Sequence, residues 1–386
     1  MRDFPSDPLA AVTHPDPAPY YQQLQATRPL YFDRALQLWV ASSASVVEAV
    51  LAHPACRVRP TLQPLPAALL DTPLAWVFGR LIRMSDGEYH ARLKPALATA
   101  LAALPPPSVD DCCAQVLATM PARLDGAALD DWLFAAPLQI MARLLGLPPD
   151  ADRLALMRDF VAALSPLATA AEIARGSAAV TPLLAQFAAL PVDASPLYAA
   201  LASRITPPAS LHANALGLLL QTWDASAGLI GNVLYRLAVD AGLREVLRQQ
   251  PAWLADGIAE SQRLDAAIHN TRRYLAADAD IAGHTLRAGD GVLLLLAAAN
   301  LDPARHPQPL RFELRRERQE LGFGAATHRC PGSSLALSIA RQFVQQCLLG
   351  TPDWPALARS HRFRASLNAR IRLFADTDVA AAGSTP

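Results

Sequence analysis

One stretch of this chain limits what the rest can be: Leu321 to Leu335, reading LGFGAATHRCPGSSL. A loop bearing Phe323 and Gly324 leads through His328 to Cys330 and Pro331-Gly332. Apolar residues at helical spacing then run from Ser333 to about Leu349. Cys330 is therefore held at the mouth of a helix, beside a residue able to carry positive charge. The N–H groups and dipole of a helix start favour a charged sulfur. Pro331 suits the first helical position, where its missing N–H would have had no partner. Two readings of such a cysteine stand open: a thiolate offered to a metal, or a small residue packed in a core.

The rest of the chain restricts the setting. Its 386 residues suffice for one large domain or two ordinary ones. Lys plus Arg and Asp plus Glu number 34 each, so no net charge draws the protein to nucleic acid or to an anionic membrane. A composition rich in Ala and Leu and poor in aromatics favours helices, and 33 prolines with 18 glycines mark many element ends. The cysteines, Cys56, Cys112, Cys113, Cys330 and Cys347, are odd in number and not spaced as a zinc site. Free thiols and an N-terminus without an apolar run lead to the expectation of a cytoplasmic protein with no membrane partner.

Read in order, the chain opens on a Pro-rich segment and a helix from Tyr20 to Thr27. Leu30–Asp33 and Leu38–Ala41 read as a hairpin, and Ser43–Leu51 as a helix. From Pro54 to Arg83 the pattern weakens into what reads as a long irregular loop, as lids and binding loops are. Met84–Leu104 is a predicted helix on which His90 and Lys94 share a face, as a solvated edge or as ligand contacts. Helices follow over 109–123, 132–145, 150–163, 168–190 and 195–204. Leu211–Ala241 is then apolar nearly all round, as a central buried helix would be. Near its middle Asp224 is costly unless partnered, so it serves either a function or a salt bridge. Trp253–Ala267 carries Glu260 and Arg263, three apart; on an exposed helix such a pair counts for little. Short strands follow over 273–275, 279–281 and 291–298. A Pro-rich meander then reaches the cysteine loop, strands alternate over 363–375, and the last ten residues read as frayed.

These parts, in this order and over nearly the whole length, resemble the cytochrome P450 family, and its soluble bacterial type in particular. The family's haem loop, F-G-x-G-x-H/R-x-C-x-G, is matched at Phe323, Gly324, His328, Cys330 and Gly332, with Ala326 in place of the second glycine. The E-x-x-R pair is Glu260 and Arg263, and Arg311-Phe312 matches the R-F element whose arginine joins it. The resemblance implies a mainly α fold: a helical bundle around a long central helix, with small β-sheets, in one domain over 1–386 without a fused reductase. It places haem b between the central and cysteine-bearing helices, with the Cys330 thiolate on the iron. His90, Lys94, Arg273 and His328 fall at positions that hold the haem propionates. The 57–83 loop, the 163–172 region, Trp223, Ala225, His269 and Asn270 would line the substrate pocket.

The activity so implied is oxidation, by hydroxylation, of a small organic molecule with O2, in secondary metabolism. A separate ferredoxin and ferredoxin reductase would supply electrons to a monomer. One departure stands out. The family's central helix reads A/G-G-x-D/E-T, whereas here Asp224 is followed by Ala225 and preceded by Gln221, Thr222 and Trp223. Ser226 or Thr222 then supplies a substitute hydroxyl, the substrate supplies its own, or the chemistry is not ordinary monooxygenation. A redox-neutral or peroxide-using haem-thiolate enzyme, and a catalytically silent haem-binding or partner-recruiting protein, remain as alternatives. Arg315, Arg316 and Arg318 read either as a patch facing an acidic ferredoxin or as a solvated loop.

Overall fold

The computed structural model describes residues 4–375 apart from 122, 318 and 351. The final residues expected to fray and Arg318 lie outside the described residues. The helices are α1 (Ala18–Thr27), α2 (Ala44–Ala52), α3 (Pro73–Arg80), α4 (Gly87–Ala102), α5 (Pro106–Leu117), α6 (Gly126–Leu144), α7 (Arg153–Ala163) and α8 (Ala170–Ala188). There follow α9 (Pro196–Ala202), α10 (Pro208–Val239), α11 (Ala241–Gln249), α12 (Leu254–Leu264), α13 (Leu296–Asn300), α14 (Ser333–Leu349) and α15 (Trp354–Arg359). The strands are β1 (Leu30–Asp33), β2 (Leu38–Ala41), β3 (Cys56–Arg57), β4 (Asn270–Leu275), β5 (Ala279–Ile281), β6 (His284–Leu286), β7 (Gly291–Leu295), β8 (Arg362–Phe363) and β9 (Arg372–Leu373). The predicted hairpin is present as β1 and β2, with Leu30 opposite Ala41 and Asp33 opposite Leu38. It extends into a five-stranded sheet of order β1-β2-β7-β4-β3, in which only β2 and β7 run parallel.

The central helix forms as its sequence requires. Pro208 sits in the first turn, Leu and Ala carry it through 32 residues, and Asp240 ends it. The Asp240 carboxylate then accepts from the Leu243 N–H and caps the next helix, α11. α10 packs against α6, α8, α12 and α14, so apolar residues around most of its circumference are buried. Gly228 and Gly231 let the chain at 370–372 close onto it. A Cβ on Gly228 would lie 2.7 Å from the Arg370 carbonyl oxygen, and one on Gly231 would lie 3.3 Å from that of Arg372.

Three expectations are corrected. The 54–83 segment contains α3, because Pro73 opens a turn and Leu74 and Val77 bury one face. The apolar run after Gly291 is a strand only to Leu295 and then turns into α13; every residue of both is buried, so no alternation marks the change. The strands expected over 363–375 shrink to β8 and β9. Between them the Ser366 hydroxyl accepts from the Asn368 and Ala369 amides and folds the chain into a turn.

Candidate functional site

The cysteine loop is built on a buried lock. Glu260 and Arg263 of α12 are fully buried and face each other as a two-pronged pair, with Arg263 Nε 2.9 Å and Nη2 2.8 Å from the carboxylate oxygens. Arg263 also donates to the carbonyls of Asn300 at 3.1 Å and Pro309 at 2.7 Å. The exposed-helix reading of this pair is therefore overturned. The third arginine is also corrected: Arg316, not Arg311, donates its Nε to Glu260 at 3.1 Å. Arg311 offers Arg263 its backbone carbonyl at 3.3 Å, while among the described residues its exposed side chain reaches only Gln308. Arg316 is thus buried and no part of a surface patch, and Arg315 stacks over Trp253 at 4.5 Å. From this lock Asn300 accepts the Leu321 N–H at 2.7 Å and fixes where the loop begins.

The loop closes on itself where the Cys330 N–H donates to the Phe323 carbonyl at 2.9 Å. Gly324 lies at φ +71°, a left-handed turn natural to glycine; Ala326 adopts φ +53° without that freedom. Alanine thus keeps the loop's path at a conformational cost. Ala326→Gly should raise stability by about 0.5–1 kcal/mol, read as a higher unfolding midpoint; an unchanged or lower midpoint would show the turn to be unstrained. Pro331 does not open the helix as expected. α14 starts at Ser333 with Gly332 as its cap, because a turn over Pro331-Gly332 intervenes.

Burial pushes up the thiols of Cys113 and Cys347 to about 12 and that of Cys56 to about 11. Burial raises Cys330 too, but the Gly332 amide and the cations Lys94, Arg83 and Arg329 oppose it. Around the cysteine the structure gathers residues distant in sequence. His90 and His328 stack with ring centroids 4.2 Å apart. His90 is buried with its Nε2 unpartnered, and burial followed by His328 and Lys94 pushes its pKa down to about 4. Lys94 Nζ donates to the Arg329 carbonyl at 2.9 Å. Among the described residues the buried Arg273 donates only to Thr271 Oγ1 and to the Arg272 carbonyl. Asp86, which the sequence reading did not single out, pairs with His328 at 3.1 Å and accepts the Val58 N–H at 2.9 Å.

On α10, Gln221, Asp224 and Ala225 keep open surface at i, i+3 and i+4 spacing and so share one face. Asp224 Oδ2 accepts from Arg364 at 2.6 Å, while its Oδ1 is buried without a partner. Burial raises the Asp224 pKa and Arg364 opposes that rise. Thr222 and Ser226 lie off this face and are buried. The Thr222 hydroxyl is committed to the Leu218 carbonyl at 2.7 Å, as serines and threonines in helices commonly are. Arg364 stands 140 residues from Asp224, and no local pattern links the two.

Three residues expected in the pocket are placed elsewhere. Trp223 is buried against Phe134, with centroids 5.2 Å apart, because its position on α10 faces α6. His269 is held by the Tyr21 hydroxyl at 2.9 Å, and burial followed by Arg370 pushes it down to about 3. Asn270 donates to the Leu367 carbonyl at 2.7 Å. Both polar side chains serve the sheet's junction with the N-terminal and C-terminal segments.

Comparison with known proteins agrees with this arrangement. The family profile described as Cytochrome P450 matches residues 245–349, the stretch from α11 through α14 that holds both the lock and Cys330. The cytochrome P450 monooxygenase PikC of Streptomyces venezuelae is 28% identical over 358 residues, 88% of this chain and 84% of its own. The 6-deoxyerythronolide B hydroxylase of Saccharopolyspora erythraea is 36% identical over 145 residues, 37% of this chain and 35% of its own. The crystal structure of CalO2 superposes with a TM-score of 0.77 at 24% identity, covering 96% of each chain. With the family profile on the stretch that holds Cys330 and most of its length aligned to a cytochrome P450 monooxygenase, the chain belongs to the cytochrome P450 family, the haem-thiolate monooxygenases.

Proposed function

We propose that the Cys330 thiolate would hold the iron of a haem b, and that His90, Lys94, Arg273 and His328 would hold its propionates. We further propose that the protein hydroxylates a small organic molecule of secondary metabolism. The observation that carries this reading is that, among the described residues, two buried donors around the Asp86–His328 pair, His90 and Arg273, have no carboxylate hydrogen-bonded to them. Nε2 of His90 is buried and unpartnered, and Arg273 is buried with no carboxylate on it. Left alone, such groups are costly; a ligand bringing two carboxylates into the space beside Cys330 satisfies them. The residues present therefore fit a haem. Lys94 brings charge but not the paired N–H fork that an arginine would.

When bound, haem supplies the activation of O2 and the transfer of one oxygen atom to the substrate. The chain supplies the rest. The Cys330 thiolate would supply electron density to the iron. Asp224, on the opposite wall, handles protons at its free Oδ1 while Arg364 anchors Oδ2. Ala225 offers no hydroxyl beside it, and Thr222 is committed to its own helix, so the carboxylate is the acidic group on that face. A separate ferredoxin and its reductase deliver electrons to a cytoplasmic monomer.

The test reconstitutes the haem-loaded protein with a ferredoxin, its reductase and NADPH. Asp224→Asn should slow O2-dependent NADPH consumption by about tenfold or more, with the thiolate band of the reduced carbon-monoxide form unchanged. An unchanged rate removes Asp224 from the proton route. Turnover with hydrogen peroxide but none with the electron carriers would favour the peroxide-using alternative.

A further inference from the structure

Asp224 shares a face of α10 with Gly228 and Gly231, at i+4 and i+7 from it. The two glycines leave room for the Arg370 and Arg372 carbonyls, so the β8–β9 pair lies along this face. The Arg364 N–H donates to the Ile371 carbonyl at 3.0 Å, which fixes the backbone from which its side chain starts. That side chain meets Asp224 with a single prong: Nη2 lies 2.6 Å from Oδ2. Asp224 Oδ1 is buried without a partner, and among the described residues Arg364 makes no other side-chain hydrogen bond. The lock on α12 gives the contrast. There Arg263 uses two prongs and takes both oxygens of Glu260. A guanidinium fork matches both oxygens of a carboxylate, so a pair that uses one prong is held away from the second.

Phe134 of α6 stands beside the pair. The Arg364 guanidinium lies over its ring, 5.5 Å from the centroid. The same ring packs on Trp223, with centroids 5.2 Å apart. Trp223 and Asp224 are neighbours on α10, so their side chains leave the helix about 100° apart. One runs to α6 and the other to the end of β8, and Phe134 and Arg364 close the circuit between them. Stability alone does not account for this arrangement. The Arg364 and Asp224 side chains are 33% and 28% exposed, and a pair so open to solvent adds little.

We propose that Phe134, braced by Trp223, is a positioning residue for the proton step: it seats the Arg364 guanidinium so that one N–H takes Asp224 Oδ2 and Oδ1 stays free to exchange protons. This rests on the reading of Asp224 as part of the proton route. Only O–H bonds are made and broken at the carboxylate. Burial raises the Asp224 pKa; the charged groups that oppose this are Arg364 and, after it, Arg83, while Phe134 and Trp223 carry no charge.

The two supports should therefore fail with opposite signs. The ionisation of Asp224 is followed by infrared titration of the haem-loaded protein, its carboxyl signal being the one lost in Asp224→Asn. Arg364→Gln removes the main cation, and the midpoint should rise by about one pH unit or more. Phe134→Leu removes the seat and lets the fork close on both oxygens. Its midpoint should fall by about half a unit or more, and O2-dependent NADPH consumption should slow about threefold or more because Oδ1 is taken. Phe134→Tyr, which keeps the ring, should restore both values. Phe134→Met is carried beside Phe134→Leu, so that one variant without the ring and with the thiolate band of the reduced carbon-monoxide form suffices. A midpoint that stays or rises, or a rate that stays, in the variants without the ring overturns the proposal while a slow Asp224→Asn leaves the proton-route reading standing. Asp224→Asn as fast as the unaltered protein would overturn that reading, and this proposal with it.

Discussion

Cys330→Ser is expected to abolish the thiolate band of the reduced carbon-monoxide form and all O2-dependent turnover. A serine hydroxyl does not ionise near neutral pH, so it cannot give the iron the electron density that a thiolate gives. No other cysteine takes its place. Cys113 and Cys347 are buried in helices with thiols pushed up to about 12, and Cys56 lies in β3 with its thiol near 11. Each is held protonated by burial. Cys330 alone has the Gly332 amide and three cations acting in favour of its charge. The measurement is the carbon-monoxide difference spectrum of the purified variant, and a surviving thiolate band would sink the ligand assignment.

Arg263→Ala is expected to cost about 3–5 kcal/mol, enough to leave little soluble haem-loaded protein. The loss is large because Glu260, fully buried, keeps its charge without its main partner, and the carbonyls of Asn300 and Pro309 lose their donor. Asn300 fixes the start of the cysteine loop, so the damage reaches the haem seat. Arg311→Ala should shift stability by only about 0.5 kcal/mol, because among the described residues its exposed side chain reaches only Gln308. Urea unfolding of both variants beside Arg316→Ala decides it. Arg316→Ala should lose about 1.5–3 kcal/mol, the range for a hydrogen bond to a charged group. A larger loss for Arg311→Ala than for Arg316→Ala would restore Arg311 to the lock.

The contrast between those two arginines shows where sequence reading reached its limit. Glu260 and Arg263 are readable because three residues along a helix fix a shared face. Which meander arginine joins them depends on how a non-repeating loop folds back, and no period governs that. Ala326 was readable as a substitution in the loop; its left-handed backbone, and hence its cost, was not. Asp224 was readable as an anomalous carboxylate in an apolar helix, yet its partner Arg364 lies 140 residues further on, across a stretch that carries no shared pattern. Trp223 and His269 were misplaced for a related reason. Polarity or size at a position tells that a residue is unusual, whereas a rotation of a quarter turn about α10 or a hydroxyl supplied by Tyr21 decides which way it is used.

The sequence by itself therefore determined the helical class, the cysteine loop and the shared helix face of Glu260 and Arg263, since each rests on local spacing and backbone preference; His90, Lys94, Arg273 and His328 were singled out only through the family resemblance. Only the tertiary structure decided that His90 stacks on His328, and that Asp86 and Arg316 complete their clusters. Those are contacts between segments far apart in the chain, set by how whole helices and loops pack around α10, and local sequence carries no record of them.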